Sequence, residues 1–279
     1  MTRIGSLFII SLLISGVVFI QAQTEQAEAQ TIPPDSLEEA SVEEIADPVE
    51  IQMALGDSLE DLGEYQGALE AYMAVLEMDP ENYRAAWKTG DQYTDIAKNL
   101  PEDAKGEKEE KFDLARQYCE KAIAIDSTGW EGHTYLSIAL GRLALFRGGK
   151  EKINLSKRVK EEADKGIALN PENDTAYHVV GLWNRNLANL SWVLKTFAKI
   201  LYGGVPPGSN EEAVACLKKA IEIKPDYINH HLELAKTYEM TGKKELMKEP
   251  LNRVLELPAT EPDDEEYKAE AQAMLAKLK

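Results

Sequence analysis

Histidine and cysteine are the residue types in this chain best suited to metal binding or nucleophilic catalysis. The sequence holds four histidines and two cysteines, which are His133, His178, His230, His231, Cys119 and Cys216. Adjacent residues on a helix point about 100° apart, so His230 and His231 cannot chelate one metal ion as an i, i+4 pair does. Two cysteines are too few for a disulfide framework or a zinc cluster, and we expect buried, unbridged thiols. We therefore predict no metal site and no catalytic nucleophile.

Other patterns with catalytic meaning are incomplete. Gly148-Gly149-Lys150 resembles the end of a phosphate-binding loop, but Ala144 replaces the first glycine and no serine or threonine follows the lysine. No Gly-x-Ser-x-Gly elbow is present. The many carboxylates fall on the outer faces of amphipathic helices, where solvated charge is expected. The sequence predicts a protein that is not an enzyme and that needs no cofactor.

A basic segment covers residues 142–160. It contains a single acid, Glu151, against seven basic side chains: Arg142, Arg147, Lys150, Lys152, Lys157, Arg158 and Lys160. Such a local excess of positive charge could attract an anionic lipid or an acidic partner. Equally, these side chains could pair with acids of neighbouring helices. The sequence leaves both interpretations open.

An apolar stripe follows at residues 187–202. Its members at helical spacing are Leu190, Val193, Leu194, Phe197, Ile200 and Leu201. Lys195 and Lys199 fall on other faces of the same helix. We expect the stripe to pack on the next repeat, with insertion into a membrane surface as the alternative.

The N-terminus has the order of regions of a secretory signal peptide. A basic start is followed by an apolar run at residues 4–20, and a polar region opens near Ala22. We predict a signal peptide over residues 1–22, cleaved near Ala22, with an uncleaved anchor as the alternative. Residues 23–48 are acidic and are predicted to form a disordered tether. The chain is thus expected to be exported to the periplasm or cell envelope of a bacterium.

The net charge of the chain is −18, which argues against nucleic acid as a partner.

A short pattern that ends in proline recurs along residues 49–279. It reads Met78-Asp79-Pro80, Leu169-Asn170-Pro171, Ile223-Lys224-Pro225 and Leu257-Pro258, with Ile125-Asp126-Ser127 as an instance without proline. A unit of about 34 residues, the length of the tetratricopeptide repeat (TPR), would leave insertions in units two to four. Small residues recur where the two helices of a TPR unit approach each other, as at Gly90 and Gly181.

These features predict an all-α fold, a TPR-type right-handed helical solenoid of about five helix-turn-helix units and about ten helices. Pro250 conflicts locally with this prediction, because it falls inside the second helix of unit five and should kink it.

Units three to five resemble a narrower family, the regulators of microtubule dynamics. The resemblance covers roughly half of the chain and rests on Tyr177-His178-Val179-Val180-Gly181-Leu182-Trp183, Leu190-Ser191-Trp192, Gly203-Gly204-Val205-Pro206-Pro207-Gly208-Ser209, Thr237-Tyr238, Gly242-Lys243 and Leu255-Glu256-Leu257-Pro258. It implies a TPR fold and a ligand groove, and some TPR domains of the group bind phospholipid. An exported bacterial protein would never meet tubulin, so the microtubule role is not carried over.

TPR proteins generally bind their partners through inward-facing positions of the first helix of each unit. In this sequence those positions are Arg84, Trp87, Asp91, His178, Leu182, Arg185, Asn229, Leu232 and Lys236. The basic members would bind a carboxylate or phosphate, and Trp87 and Leu182 would be apolar anchors. We predict a scaffold that holds a peptide or protein in its concave groove. The alternatives are a module that binds lipid or another apolar ligand, and a structural assembly factor of the envelope.

Overall fold

A computed structural model describes residues 47–278 of the chain. This part contains twelve α-helices, one short 3-10 helix and no strand. In chain order they are α1 (Pro48–Asp61), α2 (Tyr65–Met78), α3 (Tyr83–Asn99), α4 (Lys105–Ile125), α5 (Trp130–Leu143), α6 (Gly149–Leu169), α7 (Asp174–Ala188), α8 (Trp192–Tyr202), α9 (Asn210–Ile223), α10 (Ile228–Met240), the 3-10 helix (Lys244–Met247), α11 (Lys248–Glu256) and α12 (Asp264–Ala276). The predictions for the signal peptide and most of the tether lie outside the described residues.

The helices pair as the five predicted units. The pairs are α1 with α2, α3 with α4, α5 with α6, α7 with α9, and α10 with α11. The first helix of each pair is called its A helix and the second its B helix. A helices also pack on one another from unit to unit, as α3 does on α5 and α7 on α10. The all-α helical solenoid is therefore confirmed. No helix within residues 47–278 is long and apolar enough to cross a membrane.

Small residues determine how closely the two helices of a unit approach. A Cβ placed on Gly90 of α3 would lie 2.5 Å from Cys119 Sγ and 3.0 Å from the Ala115 carbonyl oxygen of α4. A Cβ on Gly181 of α7 would lie 2.8 Å from Leu217 Cγ of α9. These distances are too short for a Cβ atom, so glycine is required at both positions where an A helix packs on its B helix.

The three predicted insertions take two different forms. In units two and three they lengthen the B helices, since α4 and α6 each have 21 residues where α2 has 14. In unit four the insertion forms a separate helix, α8, of 11 residues. It lies in the connection between α7 and α9, which pack directly on each other. Together with α12, α8 explains why there are twelve α-helices rather than about ten.

Pro250 does not kink a helix, contrary to the prediction. A 3-10 helix occupies Lys244–Met247, and α11 begins only at Lys248. Pro250 therefore lies in the first turn of α11, where a backbone N–H has no partner within the helix.

The two cysteines are free, as predicted, but only Cys119 is fully buried. Cys216 is half-buried, because the neighbouring Leu217 takes the packing position opposite Gly181.

The C-terminal end of the solenoid reaches back to its first two units. Lys98 of α3 forms an ion pair with Asp263, which lies just before α12. A Cβ on Gly63, in the turn after α1, would lie 3.2 Å from Pro262 Cγ. The inner face of the A helices is thus enclosed by a return contact between the two ends.

Candidate functional site

A large concave surface lies along the inner faces of the A helices and is called the groove. It extends from Glu60 and Tyr65 in unit one to Tyr267 in α12, and it encloses a volume of about 1020 Å³. This volume lies at the upper end of the range for small-molecule sites. The groove has an acidic end, a central histidine pair and an apolar end.

The acidic end is formed by α3 and the segment before α12. Asp95 and Asp263 both pair with Lys98, and the Asp95 pair has an N···O distance of 3.4 Å. Asp91 lies one helical turn from Asp95 and has no ion-pair partner among the described residues. Burial, followed by the negative charge of Asp95, raises the pKa of Asp91 well above its ordinary value. A cationic group next to Asp91 would offset both effects and would stabilise the ionised carboxylate.

The pKa values of two tyrosines in the groove wall are raised in the same surroundings. Burial and the charge of Asp95 raise the pKa of Tyr65 to about 12. Burial, and then the charge of Asp91, raises the pKa of Tyr135 well above its ordinary range. Both phenols are therefore neutral hydrogen-bonding groups at physiological pH.

The histidine pair connects α7 and α10 at the middle of the groove. His230 is buried and its Nε2 lies 2.9 Å from Asp174 Oδ2, while its Nδ1 lies 2.9 Å from His178 Nδ1. If His230 donates to Asp174, then His178 donates to His230, and His178 Nε2 remains a hydrogen-bond acceptor. Burial, and then the nearby charge of His230, lowers the pKa of His178 to about 3.

This arrangement is a hydrogen-bonded chain of three side chains. Within residues 47–278, no serine, threonine or cysteine hydroxyl or thiol hydrogen-bonds to His178 or His230. No cluster of three ligating side chains in the same residues could hold a metal ion. The chain Asp174–His230–His178 therefore offers a ligand one neutral acceptor at a fixed position.

The apolar end is built by α5, α6, α7 and α8. Its wall includes Leu145, Ile153, Leu182, Trp183, Leu187, Leu194 and Phe197. Trp183 Nε1 donates to the Ser156 carbonyl oxygen at 2.7 Å, which fixes the orientation of the indole ring. Arg142 and Lys152 also line the groove, and both side chains are basic.

Comparison with known proteins assigns the chain to a family. Residues 52–279 match the family described as "Regulator of microtubule dynamics protein 1-3". The chain belongs to this family. It is 28% identical to regulator of microtubule dynamics protein 1 of Bos taurus over 269 residues, covering 95% of this chain and 81% of the bovine one. It is 29% identical to human regulator of microtubule dynamics protein 2 over 198 residues, covering 71% and 47%. The resemblance found in units three to five is confirmed and extends over nearly all described units.

A solved structure supports the fold alone. A thermophilic TPR protein of Thermus thermophilus superimposes with a TM-score of 0.60 at 17% identity, covering 82% of this chain and 99% of that one.

Four of the nine residues predicted for the groove do line it in this family member. They are Asp91, His178, Leu182 and Asn229. They come from α3, α7 and α10, so the groove does collect side chains from several A helices as the TPR resemblance implies.

The other five predicted residues lie elsewhere, and for four of them the reason is the same. Arg84 pairs with Asp57 of α1, Trp87 stacks on Tyr135 of α5 with ring centroids 4.8 Å apart, Arg185 pairs with Glu233 of α10, and Lys236 pairs with Glu270 of α12. Each of these side chains contacts a neighbouring helix instead of facing the groove. The fifth, Leu232, is completely buried in the core of unit five.

Several groove residues were missed by sequence reasoning. Asp95 and Lys98 follow Asp91 at i+4 and i+7, a spacing that places all three on one face of a helix and could have revealed them. Asp174 and His230 are 56 positions apart, and no local pattern signals their contact.

The basic segment is partly neutralised by neighbouring acids. Arg147 pairs with Glu109 and Glu151, Arg158 with Glu120, and Lys160 with Asp164. Within the described part of the chain, Lys150, Lys152 and Lys157 form no ion pair. Pairing with acids is thus found for Arg147, Arg158 and Lys160, whereas the attraction of an anionic lipid or acidic partner to the other basic side chains stays a prediction.

The expectation that the apolar stripe packs on the next repeat is wrong. No residue of α8 is buried, and among the helices described its main contact is with α6. The physical reason is the direct packing of Gly181 in α7 against Leu217 in α9, which leaves no place for α8 in the stack.

Proposed function

We propose that this protein is a non-enzymatic interaction module that binds a peptide segment of a partner protein in its groove. The peptide would place a lysine or arginine beside Asp91 and apolar side chains against Leu182 and Trp183. The observation that carries this proposal is Asp91, a carboxylate that faces the groove and has no ion-pair partner within residues 47–278. A cationic residue there gains a charge-assisted contact in surroundings that exclude water.

The groove also suits an extended peptide for geometric reasons. It runs across the A helices of successive units, so a bound chain would contact each unit in turn. His178 Nε2 and the tyrosine hydroxyls offer hydrogen bonds along the way, while the apolar end offers anchor positions.

The test is a binding titration with synthetic peptides that combine basic and apolar residues. We expect Asp91→Asn to weaken the tightest peptide at least tenfold, since it removes the negative charge and keeps the shape. Asp226→Asn is the matched control, because Asp226 is exposed in the turn before α10 and the charge change is the same. Equal affinity for both variants, or no binding of any basic–apolar peptide to the wild type, contradicts the proposal.

A second candidate function is the binding of an anionic lipid or another apolar ligand. The observation in its favour is the apolar end of the groove, together with two basic groove residues, Arg142 and Lys152, that suit a phosphate or carboxylate headgroup. Native mass spectrometry of protein purified from its own host separates the two candidates. A retained lipid mass favours this second function, whereas a clean apoprotein that binds peptides favours the first.

The signal-peptide pattern at residues 1–22 supports an exported location, so we propose that the partner is a protein of the cell envelope. N-terminal sequencing of the exported protein tests this: a start near Gln23 is expected, and a start at Met1 supports the anchor instead.

A further inference from the structure

Helix α8 exposes an apolar surface next to the apolar end of the groove. We call Trp192, Val193, Ile200 and Leu201 the α8 patch; these side chains are 77%, 40%, 73% and 62% exposed. None of the four lines the groove, whereas Leu194 and Phe197 of the same helix do. Exposed apolar side chains this concentrated are unusual for a protein surface without a partner. The patch therefore continues the apolar end of the groove onto the exposed surface of α8.

Lysines without ion-pair partners among the described residues surround the patch. Lys195 and Lys199 belong to α8 itself, and neither forms an ion pair within residues 47–278. The end of α8 also abuts the start of α6, since a Cβ on Gly149 would lie 2.8 Å from the Tyr202 hydroxyl. That first turn of α6 carries Lys150 and Lys152, both exposed and unpaired in the described part of the chain. The region is thus cationic in a chain whose net charge is −18.

The combination of features fits a lipid surface better than another protein copy. Helix α8 has 11 residues, about 16 Å, which suits a helix lying flat in the headgroup region and is too short to span a bilayer. Aromatic residues, Trp192 and Tyr202, stand at its two ends, and aromatic rings favour the membrane interface. Two copies joined through the patch would bring their lysines together and would bring together two chains of high negative charge.

We propose that the α8 patch and the lysines at the start of α6 dock this protein onto a bilayer rich in anionic lipid. Helix α8 lies parallel to the surface with the patch among the acyl-chain ends, and the lysines contact the anionic headgroups. The acidic remainder of the solenoid is held away from the membrane by its charge.

The deciding measurement is the quenching of Trp192 fluorescence by brominated lipid. Full-length protein is mixed with vesicles of phosphatidylglycerol and brominated phosphatidylcholine, and compared with the Trp192→Phe variant. Trp87, Trp130 and Trp183 are half-buried in the solenoid and provide the unquenched background. We expect quenching that is lost in the variant, and little quenching with vesicles of phosphatidylcholine alone. If the protein sediments with vesicles but the fluorescence of Trp192 is not quenched, the proposal is overturned. In that case the apolar run at residues 4–20 would attach the chain to the membrane.

A pair of double variants tests the patch by affinity. Ile200→Glu with Leu201→Glu should lower the vesicle partition coefficient at least tenfold. Leu62→Glu with Leu246→Glu makes the same charge change at exposed leucines outside the patch, 71% and 51% exposed, and should leave it within twofold. Equal loss of binding in both double variants, or equal binding to neutral vesicles, would overturn membrane docking. A dimer that only Ile200→Glu with Leu201→Glu disrupts would also overturn it, in favour of a second copy of the chain.

Discussion

Arg185 lies between α7 and α10, where its guanidinium is almost closed off from water. It is 8% exposed, its Nη2 lies 2.6 Å from Glu233 Oε2, and its Nη1 lies 3.2 Å from the Glu233 carbonyl oxygen. Burial raises the pKa of Glu233, but Arg185 and Lys236 outweigh burial and lower it below its ordinary value. The pair therefore holds successive units together rather than contacting a ligand.

Replacing Arg185 should consequently destabilise the solenoid. Arg185→Met leaves Glu233 buried with Lys236 as its remaining partner, and we expect a loss of about 3 kcal/mol in the free energy of unfolding. Guanidinium denaturation followed by circular dichroism measures it. Arg84→Met is the matched control, because Arg84 pairs with Asp57 at the surface, with its side chain 53% exposed, and should cost at most about 1 kcal/mol. Similar stabilities for the two variants would contradict a structural role for Arg185.

His178 should make the stability depend on pH in mildly acidic solution. Its pKa is about 3 in the folded protein and about 6.5 in the unfolded chain, so the unfolded state binds more protons between these values. Stability is complete above pH 6.5 and falls as the pH drops through this window. The expected loss is about 2 kcal/mol between pH 6.5 and pH 5.

Denaturation at several pH values measures the contribution of His178. His178→Gln should flatten the curve between pH 6.5 and pH 5, where the carboxylates with lowered pKa values, such as Glu162 and Asp174, are still ionised in both states. Burial also lowers the pKa of His231, so His231→Gln should remove a separate part of the same slope. A His178→Gln curve parallel to the wild type would show that His178 titrates normally.

The groove residues could be predicted from the sequence only in part, for a reason that lies in helix geometry. An A helix has one face toward its B helix, one toward the groove and two toward neighbouring A helices. Asp91 and Arg84 are 7 positions apart on α3, nearly on the same side, yet Asp91 faces the groove and Arg84 reaches Asp57 of α1. Residue spacing assigns a side chain only to a helix face roughly 100° wide. Within that face, a long arginine or lysine side chain can bend toward the nearest acidic side chain.

At the scale of the helix, Gly90 is expected to be intolerant of even a methyl group. Gly90→Ala would place Cβ against Cys119 Sγ and the Ala115 carbonyl oxygen, and the second contact is with backbone, which cannot rotate away. We expect a loss of about 1–3 kcal/mol in the free energy of unfolding. Gly106→Ala provides the control, because nothing lies within 4 Å of the added Cβ in α4. Because Gly106 is the second residue of α4, that variant should raise the free energy of unfolding by at most about 0.5 kcal/mol, so only Gly90→Ala should be destabilising.

The number and pairing of the repeat units followed from the sequence because their determinants are local. Small residues recur where the helices of a unit approach each other, and proline follows most units. Each helix pair needs only its neighbours to bury its apolar face. The exposure of α8 could not be predicted from the sequence, because an apolar stripe at helical spacing has the same pattern whether a neighbouring helix covers it or not. The predicted kink at Pro250 was wrong for a related reason, because residue spacing does not show where a 3-10 helix ends and an α-helix begins.

For the whole molecule, the return contact between the two ends limits the opening of the groove. It consists of the Lys98–Asp263 ion pair and of Pro262 against Gly63. Although burial lowers the pKa of Lys98, the charges of Asp95 and Asp263 outweigh it and raise that pKa above its ordinary value. These contacts connect units that are distant in sequence, whereas the other contacts described between units join neighbours.

Loss of the ion pair should therefore open the groove without unfolding the repeats. Lys98→Gln removes the attraction to Asp263 and leaves three carboxylates, Asp91, Asp95 and Asp263, to repel one another across the contact. Hydrogen exchange of residues 261–267 should become several-fold faster, while exchange in α7 and α9 stays unchanged, because a solenoid transmits contacts only between neighbouring units. Lys88→Gln is the control: Lys88 pairs with Glu60 at 2.5 Å within the first two units and takes no part in the return contact. Unchanged exchange at residues 261–267 in Lys98→Gln, or equal acceleration in both variants, would show that Pro262 and Gly63 hold the ends together without the ion pair.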